Sequence, residues 1–384
     1  MTGPAAPTVP AAWAGTLLQS FAEAGYERAE PAILQPAEPF LDLSGEDIRK
    51  SLYLTSDPSG EELCLRPDLT IPVARDYLAS PRAGQPAGFS YLGPVFRYRG
   101  GRPSEFLQAG IESFGRQDRP AADAEMLALA LKATSAAGAD VEIRTGDVAL
   151  FIALIDALDL YPVWRRRLIK DFNRKITLEQ DLEQLTIASA ASREYEGVLA
   201  ALAGSDRKAA LALVTDLMSI AGATALGGRT VAEIADRFLE QSTLKGGALP
   251  RNALDLLKRF LGISGTPAEA IAALRSLAAD ASLDIAAAID QLEARIGFMA
   301  QHGIDTNTVR FATAFGRGLD YYTGFEFELH RKGNGVEPLV AGGRYDGLLS
   351  QLGAAEPIPA VGFSIWVEAL TQTDHARAGA RGRL

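Results

Sequence analysis

In "GRGLDYYTGFEFELH", Gly316 to His330, Arg317 stands between two glycines, Asp320 follows, and Tyr321 and Tyr322 are adjacent. Flanking glycines let the backbone turn sharply and present the guanidinium. Its planar fork takes a carboxylate or phosphate two-pronged. The tyrosines offer flat apolar faces tipped with hydroxyls that donate or accept. Taken alone, the cluster reads equally well as a surface Arg317–Asp320 pair beside two core tyrosines.

Three further stretches carry polar groups at usable spacing. "LRPDLTIPVAR", Leu65 to Arg75, sets Asp68 and Thr70 two apart, on one face if extended and suited to an ammonium group. "FRYRGGRPSEFLQAGIESFG", Phe96 to Gly115, supplies Arg97, Arg99 and Arg102 before a turn. Gln108, Gly110 and Glu112 then alternate along the next strand, so one face holds two polar groups with room between them, as a pocket floor needs. "AGGRYDGL", Ala341 to Leu348, adds paired glycines, Arg344 and Tyr345 in another close approach to a ligand.

These groups need a sheet to hold them. Between 50 and 116, short strand-like runs broken by Gly and Pro suit an antiparallel sheet. After 306 the strand patterns return, and in "GFEFELH" Phe325, Phe327 and Leu329 face one side, Glu326, Glu328 and His330 the other. An amphipathic helix carrying Trp13, Leu17, Leu18 and Phe21 comes first and Gly25 stops it; another starts near Asp123 and ends at Gly138. From 161 to 304 the chain is Ala/Leu-rich and helical, without an internal repeat. The expectation is an α+β core from 1–160 and 305–384, an antiparallel sheet flanked by helices, with an α-helical insertion over 161–304. Residues after Thr373 read as a frayed tail.

Composition narrows the function. The 384 residues carry 38 basic and 48 acidic side chains, a formal charge of -10, which is the reverse of a dedicated nucleic-acid binder. The dense basic run "WRRRLIKDFNRK", Trp164 to Lys175, reads as a solvated helix face. One cysteine, Cys64, and three scattered histidines make no zinc spacing, so no metal and no cofactor are expected. Cys64 reads as a small buried residue. No apolar run is long enough to span a bilayer and the N-terminus lacks a signal-peptide pattern, so a cytoplasmic protein is expected.

"LRPDLT", "FR…EFLQAGIESFG", "RGLDYY" and "AGGRYDGL" followed by "PAVGF" resemble, in order, the catalytic domain of class II histidyl-tRNA synthetases. The resemblance implies a histidine pocket. Asp68, Thr70 and Gln108 would hold the α-ammonium, with Arg97 and Tyr321 also in the pocket wall and Arg317 at the carboxylate. Glu112 and Tyr322 would read the imidazole nitrogens, while Arg344 and Tyr345 would close the side-chain pocket. "GYERAEPAILQP" matches the first class II motif in position, which implies a homodimer.

Departures from the synthetases point elsewhere. Ala369 follows Glu368 where they carry an ATP-stacking arginine, and Trp366 fills a small-residue position. The loop after Arg97 is shorter and lacks their Glu-Arg-Pro-Gln run. The sequence ends at Leu384, so no anticodon-binding domain is expected. Losing a phosphate clamp removes several kcal/mol of transition-state stabilisation, so adenylate formation should fail. This combination looks like the regulatory-subunit family of ATP phosphoribosyltransferase. The family resemblance implies a non-catalytic chain that joins a short-form catalytic subunit in histidine biosynthesis, responds to L-histidine, and forms a homodimer within a hetero-oligomer. Neither nucleic acid nor membrane is an expected partner.

Overall fold

The computed structural model describes residues 11–43, 46–158, 160, 162–172, 251–316, 321–333 and 337–371. The Pro/Ala lead, the insertion between 173 and 250 and the frayed tail lie outside the described residues, as does Arg317. Among the described residues, no helix is long and apolar enough to cross a membrane. No group of three or more His, Cys, Asp or Glu among them could hold a metal ion.

Twelve strands are described: β1 (Glu27–Arg28), β2 (Leu34–Pro36), β3 (Leu54–Ser56), β4 (Glu62–Leu65), β5 (Ala87–Phe96), β6 (Glu105–Phe114), β7 (Val141–Asp147), β8 (Ser264–Gly265), β9 (Val309–Ala312), β10 (Phe325–Arg331), β11 (Val340–Arg344) and β12 (Ala360–Trp366). The large sheet runs β1-β5-β6-β12-β11-β10-β7-β9-β8, and β2-β4-β3 form a small one. The centre is antiparallel, as the Gly/Pro-punctuated strands imply. However, β1 pairs with β5 and β7 with β9 in parallel, so the sheet is mixed. Both parallel partners are far apart in sequence, which no local turn signal could have revealed.

Alternation sorts the side chains of this sheet. Ile111, Phe325, Phe327, Leu329, Val361, Phe363 and Ile365 all join one core cluster, covered by residues of the helices Ala11–Glu23, Arg119–Ala136 and Ala286–Gln301. Each such large apolar side chain contributes about 1.5–3 kcal/mol on burial. Helix Arg119–Ala136 carries Pro120 in its first turn, where a missing N–H costs nothing, and ends before Gly138 at φ +69°. Helix Pro267–Ala281 starts on a reciprocal cap, in which the Thr266 amide donates to Glu269 Oε2 at 2.8 Å and the Glu269 amide to Thr266 Oγ1 at 3.3 Å.

The chain divides into two compact units, Met1–Ala153 with Phe260–Leu384, and Leu154–Arg259. The sequence pattern suggested an insertion running from 161 to 304. Helices Pro267–Ala281 and Ala286–Gln301 instead fall in the sheet-containing unit, because their apolar stripes, Leu274 and Leu277, then Ile289, Leu292 and Met299, are buried there. Helical composition alone does not distinguish a helix that covers a sheet from one that leaves it. In the second unit, helix Pro162–Phe172 buries Trp164, Leu168 and Phe172 and exposes Arg165, Arg166 and Lys170, the solvated basic face expected of that run.

Candidate functional site

The buried polar groups Gln108 and Glu112 lie on the other face of the sheet. Register places Glu112 beside Phe89 and Gly362, Gly110 beside Tyr91 and Ser364, and Gln108 beside Gly93 and Trp366. Gly362 is required there, because a Cβ would overlap Glu112 Oε2 and the Ile111 carbonyl. The space above Gly110 is occupied by the ring and hydroxyl of Tyr91.

Glu112 is 1% exposed and surrounded by hydroxyls. Thr70 Oγ1 donates to its Oε1 at 2.7 Å, Tyr91 donates to the same oxygen at 3.0 Å, and Tyr345 donates to Oε2. Burial pushes the carboxyl from 4.5 up to about 7, against the pull of the Tyr345, Thr70 and Tyr91 hydrogen bonds. Asp68 adds a further upward push from its own charge. Gln108 is equally buried, and its Oε1 has no hydrogen-bond partner. A buried acceptor left open costs roughly 1–3 kcal/mol, so it marks a place where a donor is wanted.

Thr70 does not lie on an extended segment beside Asp68. It opens the helix Thr70–Leu78, and Asp68 Oδ1 accepts the Ile71 amide at 3.1 Å, closing the first turn. The helix swings the Thr70 hydroxyl onto Glu112, so the expected alignment of Asp68 and Thr70 on one strand face is corrected. Asp68 is buried, which raises its carboxyl, and the charge of Arg97 opposes that shift. Arg97 Nε donates to the Pro67 carbonyl at 2.6 Å, fixing it against the same turn.

Tyr321, Tyr322 and Tyr345 form a buried cluster, with ring centroids 5.0 Å apart for Tyr321–Tyr322, 5.8 Å for Tyr321–Tyr345 and 6.5 Å for Tyr322–Tyr345. Of the segment around Arg317, the flanks are described. Phe315 lies over Gly146 and Tyr322 over Gly343, the two register partners of Glu326. Those glycines admit the flanks because a side chain at either position would overlap them.

Arg344 is the second correction. Strand alternation turns it to the helix-covered face, away from Tyr345. Its Nε donates to Asp123 Oδ1 at 2.8 Å and its Nη1 to Asp346 Oδ1 at 2.8 Å. Arg295 continues the chain, donating to Asp123 Oδ2 at 2.9 Å and Asp147 Oδ2 at 2.8 Å. Arg344 therefore braces the pocket from behind rather than lining it. Tyr91 and Ser364 were not singled out by sequence, since a strand tyrosine reads as core. Gly110 was the one available signal, because room on one strand implies bulk on its neighbour.

Two further residues adjoin the site. Trp366 packs against the cluster containing Tyr321, Tyr322 and Tyr345, and Glu368 Oε1 accepts the Leu107 amide at 2.8 Å. Cys64 is buried, burial pushes its thiol up to about 11, and no catalytic base adjoins it in sequence.

The histidyl-tRNA synthetase family model matches residues 4–241 and 212–370, which makes this a class II synthetase-like protein. A Brucella anthropi protein named ATP phosphoribosyltransferase regulatory subunit is 42% identical over 347 residues, covering 90% of this chain and 92% of that one. A Brucella canis protein of the same name is 41% identical over the same length. The chain belongs to the ATP phosphoribosyltransferase regulatory subunit family. Fold likeness agrees. A crystal structure described as an ATP phosphoribosyltransferase regulatory subunit/histidyl-tRNA synthetase from Bacillus halodurans superposes with a TM-score of 0.66, at 23% identity, over 94% of this chain and 78% of that one. A histidine–tRNA ligase subunit from Alicyclobacillus acidocaldarius gives 0.58 at 25% identity, covering 98% of both chains.

Proposed function

We propose that this chain is the non-catalytic, histidine-sensing subunit that works with a short-form ATP phosphoribosyltransferase catalytic subunit in the first step of histidine biosynthesis. Histidine bound at Glu112 and Gln108 suppresses turnover on the partner. Gln108 carries the reading: a buried, unpartnered acceptor on the strand face that holds Glu112, with Asp68 close to that acid, suits an ammonium-bearing ligand. Tyr322 and Glu112 are the pair that would match the acceptor and donor of a neutral imidazole. Arg317 at the ligand carboxylate stands on the sequence resemblance. A ligand of histidine's size gives a Kd on the order of 100 μM, in the range a sensor of a free metabolite pool needs. Feedback is then a coupling free energy of ~1–3 kcal/mol between the two subunits.

Ala369 in place of an arginine and Trp366 beside Gln108 support the absence of adenylate chemistry in this chain. The protein acts in the cytoplasm, as a homodimer within a hetero-oligomer, without nucleic acid. The test is to mix the purified chain with the short catalytic subunit. Co-purification, a rise in phosphoribosyl transfer, and its loss on adding L-histidine are expected. Calorimetry that detects no histidine uptake would sink the sensor assignment. The family-model match favours a second reading, a divergent histidyl-tRNA synthetase. Robust histidine-dependent ATP–pyrophosphate exchange by the purified chain would establish that reading instead.

A further inference from the structure

We infer that Tyr91 is the positioning residue of the ligand site, its hydroxyl fixing the Glu112 carboxylate so that the acid faces the ligand in one orientation. The inference rests on the histidine reading for its ligand, but its geometry stands independently. Tyr91 is 1% exposed and its phenol lies where a side chain at Gly110 would otherwise be. The hydroxyl is 3.0 Å from Glu112 Oε1, 2.9 Å from Ser364 Oγ and 3.2 Å from the Phe363 carbonyl. A phenol has one proton, and a carboxylate is the stronger acceptor, so Tyr91 donates to Glu112 and accepts from Ser364. Ser364 orients Tyr91, and Tyr91 orients Glu112.

The role differs from those of the other two hydroxyls. Thr70 rides on the first turn of a helix and Tyr345 belongs to the tyrosine cluster, so both reach Glu112 from outside the β5–β6–β12 ladder. Tyr91 and Ser364 sit on two strands that flank β6 in register, and the sheet holds them. Glu112 thus has one oxygen, Oε1, anchored from within the sheet. Among the described residues, the ionisable groups that act on Glu112 are Asp68, Tyr91 and Tyr345, with Arg97 acting on Asp68 and Tyr321 on Tyr345. Asp68 opposes ionisation of Glu112, and the hydroxyls favour it. Removing the Tyr91 hydroxyl leaves Asp68 less opposed.

The test is the carbon-13 titration of the Glu112 carboxyl in the ligand-free wild type, Tyr91→Phe and Ser364→Ala, with L-histidine calorimetry between pH 6 and 8.5. Tyr91→Phe keeps the ring, and its Glu112 midpoint should rise by about one pH unit. Its histidine affinity should fall about five- to tenfold near pH 7, and the gap should narrow toward pH 8.5 as Glu112 ionises. Ser364→Ala, which leaves both strands' large side chains in place, should move both readouts the same way by less. An unmoved carboxyl titration in both variants, or an affinity loss of equal size at every pH, overturns the assignment. Absence of histidine binding by the wild type counts against the sensor reading alone, because the carboxyl titration still decides the role of Tyr91.

Discussion

On the helix-covered face of the sheet, Asp123 and Asp147 are buried against two guanidiniums; on the opposite face, Glu112 is buried as deeply against three hydroxyls. Burial works against the Arg295 charge, yet Asp147 and Asp123 more than offset it and hold the guanidinium charged. That chain of ions is complete: each carboxylate meets a cation inside the fold. Among the described residues, Glu112 is hydrogen-bonded only by neutral hydroxyls, and on the same strand face Gln108 Oε1 has no partner. On the proposed function, the difference separates a structural use of buried charge from a binding one. A fold that closes its charges on itself gains rigidity, whereas one that leaves an acid half-satisfied reserves that position for something arriving from outside.

Breaking the closed chain should produce the largest effect. Arg295→Ala strands Asp147 in the core, leaves Asp123 with Arg344 alone, and should cost about 3–5 kcal/mol in urea unfolding. A loss below about 1 kcal/mol would mean that the ions are not doing what their geometry implies. The open acid should respond to pH instead. Because the Glu112 carboxyl rises from 4.5 in an exposed setting to about 7 here, its stabilising proton is fully retained below pH 4.5 and lost as pH rises through 7. Ligand-free wild type should lose about 3 kcal/mol from this group over that window. Glu112→Gln should show a flatter stability profile between pH 5 and 8, and an unchanged slope would remove Glu112 as its source.

Smaller perturbations sharpen the contrast. Gly362→Ala forces a methyl against Glu112 Oε2 and should cost about 1–3 kcal/mol while abolishing histidine uptake by displacing the carboxylate. Chemical denaturation and calorimetry on the same sample would show both losses, and retained binding would mean that Glu112 does not contact the ligand. Gln108→Leu should split the two properties. Removing an unpaired buried acceptor should leave stability unchanged or raise it by about 1 kcal/mol, while histidine binding weakens. If both fall together, Gln108 is a structural residue after all.

Much of the site was legible because it depends on period-two spacing. Gln108, Gly110 and Glu112 share a face whatever strand lies beside them, and Tyr345 follows its glycines by the same rule. What alternation could not supply was the identity of the covering layer. Arg344 looked like a pocket residue because its neighbour is one, yet its acid partner Asp123 lies 221 residues earlier. Thr70 shares a face with Asp68 only if the segment is extended, but Asp68 closes a helical turn there. Tyr91 stayed hidden because its role is set by register with β6 rather than by its own surroundings in sequence. The two parallel strand pairs and the helices kept with the sheet were missed for the same reason: each is a long-range choice with no local signature.

Phe151 and Phe260 flank the boundary where the chain leaves the sheet-bearing unit and where it rejoins it, and their rings lie 6.1 Å apart. Departure and return are thus clasped at one place. Loop-closure entropy grows slowly, by about 0.6 kcal/mol for each doubling of length, so what pins the ends matters more than how much chain lies between them. To the sheet, the size of the excursion is nearly invisible. A change in the length of chain between these two phenylalanines should therefore cost the sheet little so long as their ring contact is kept.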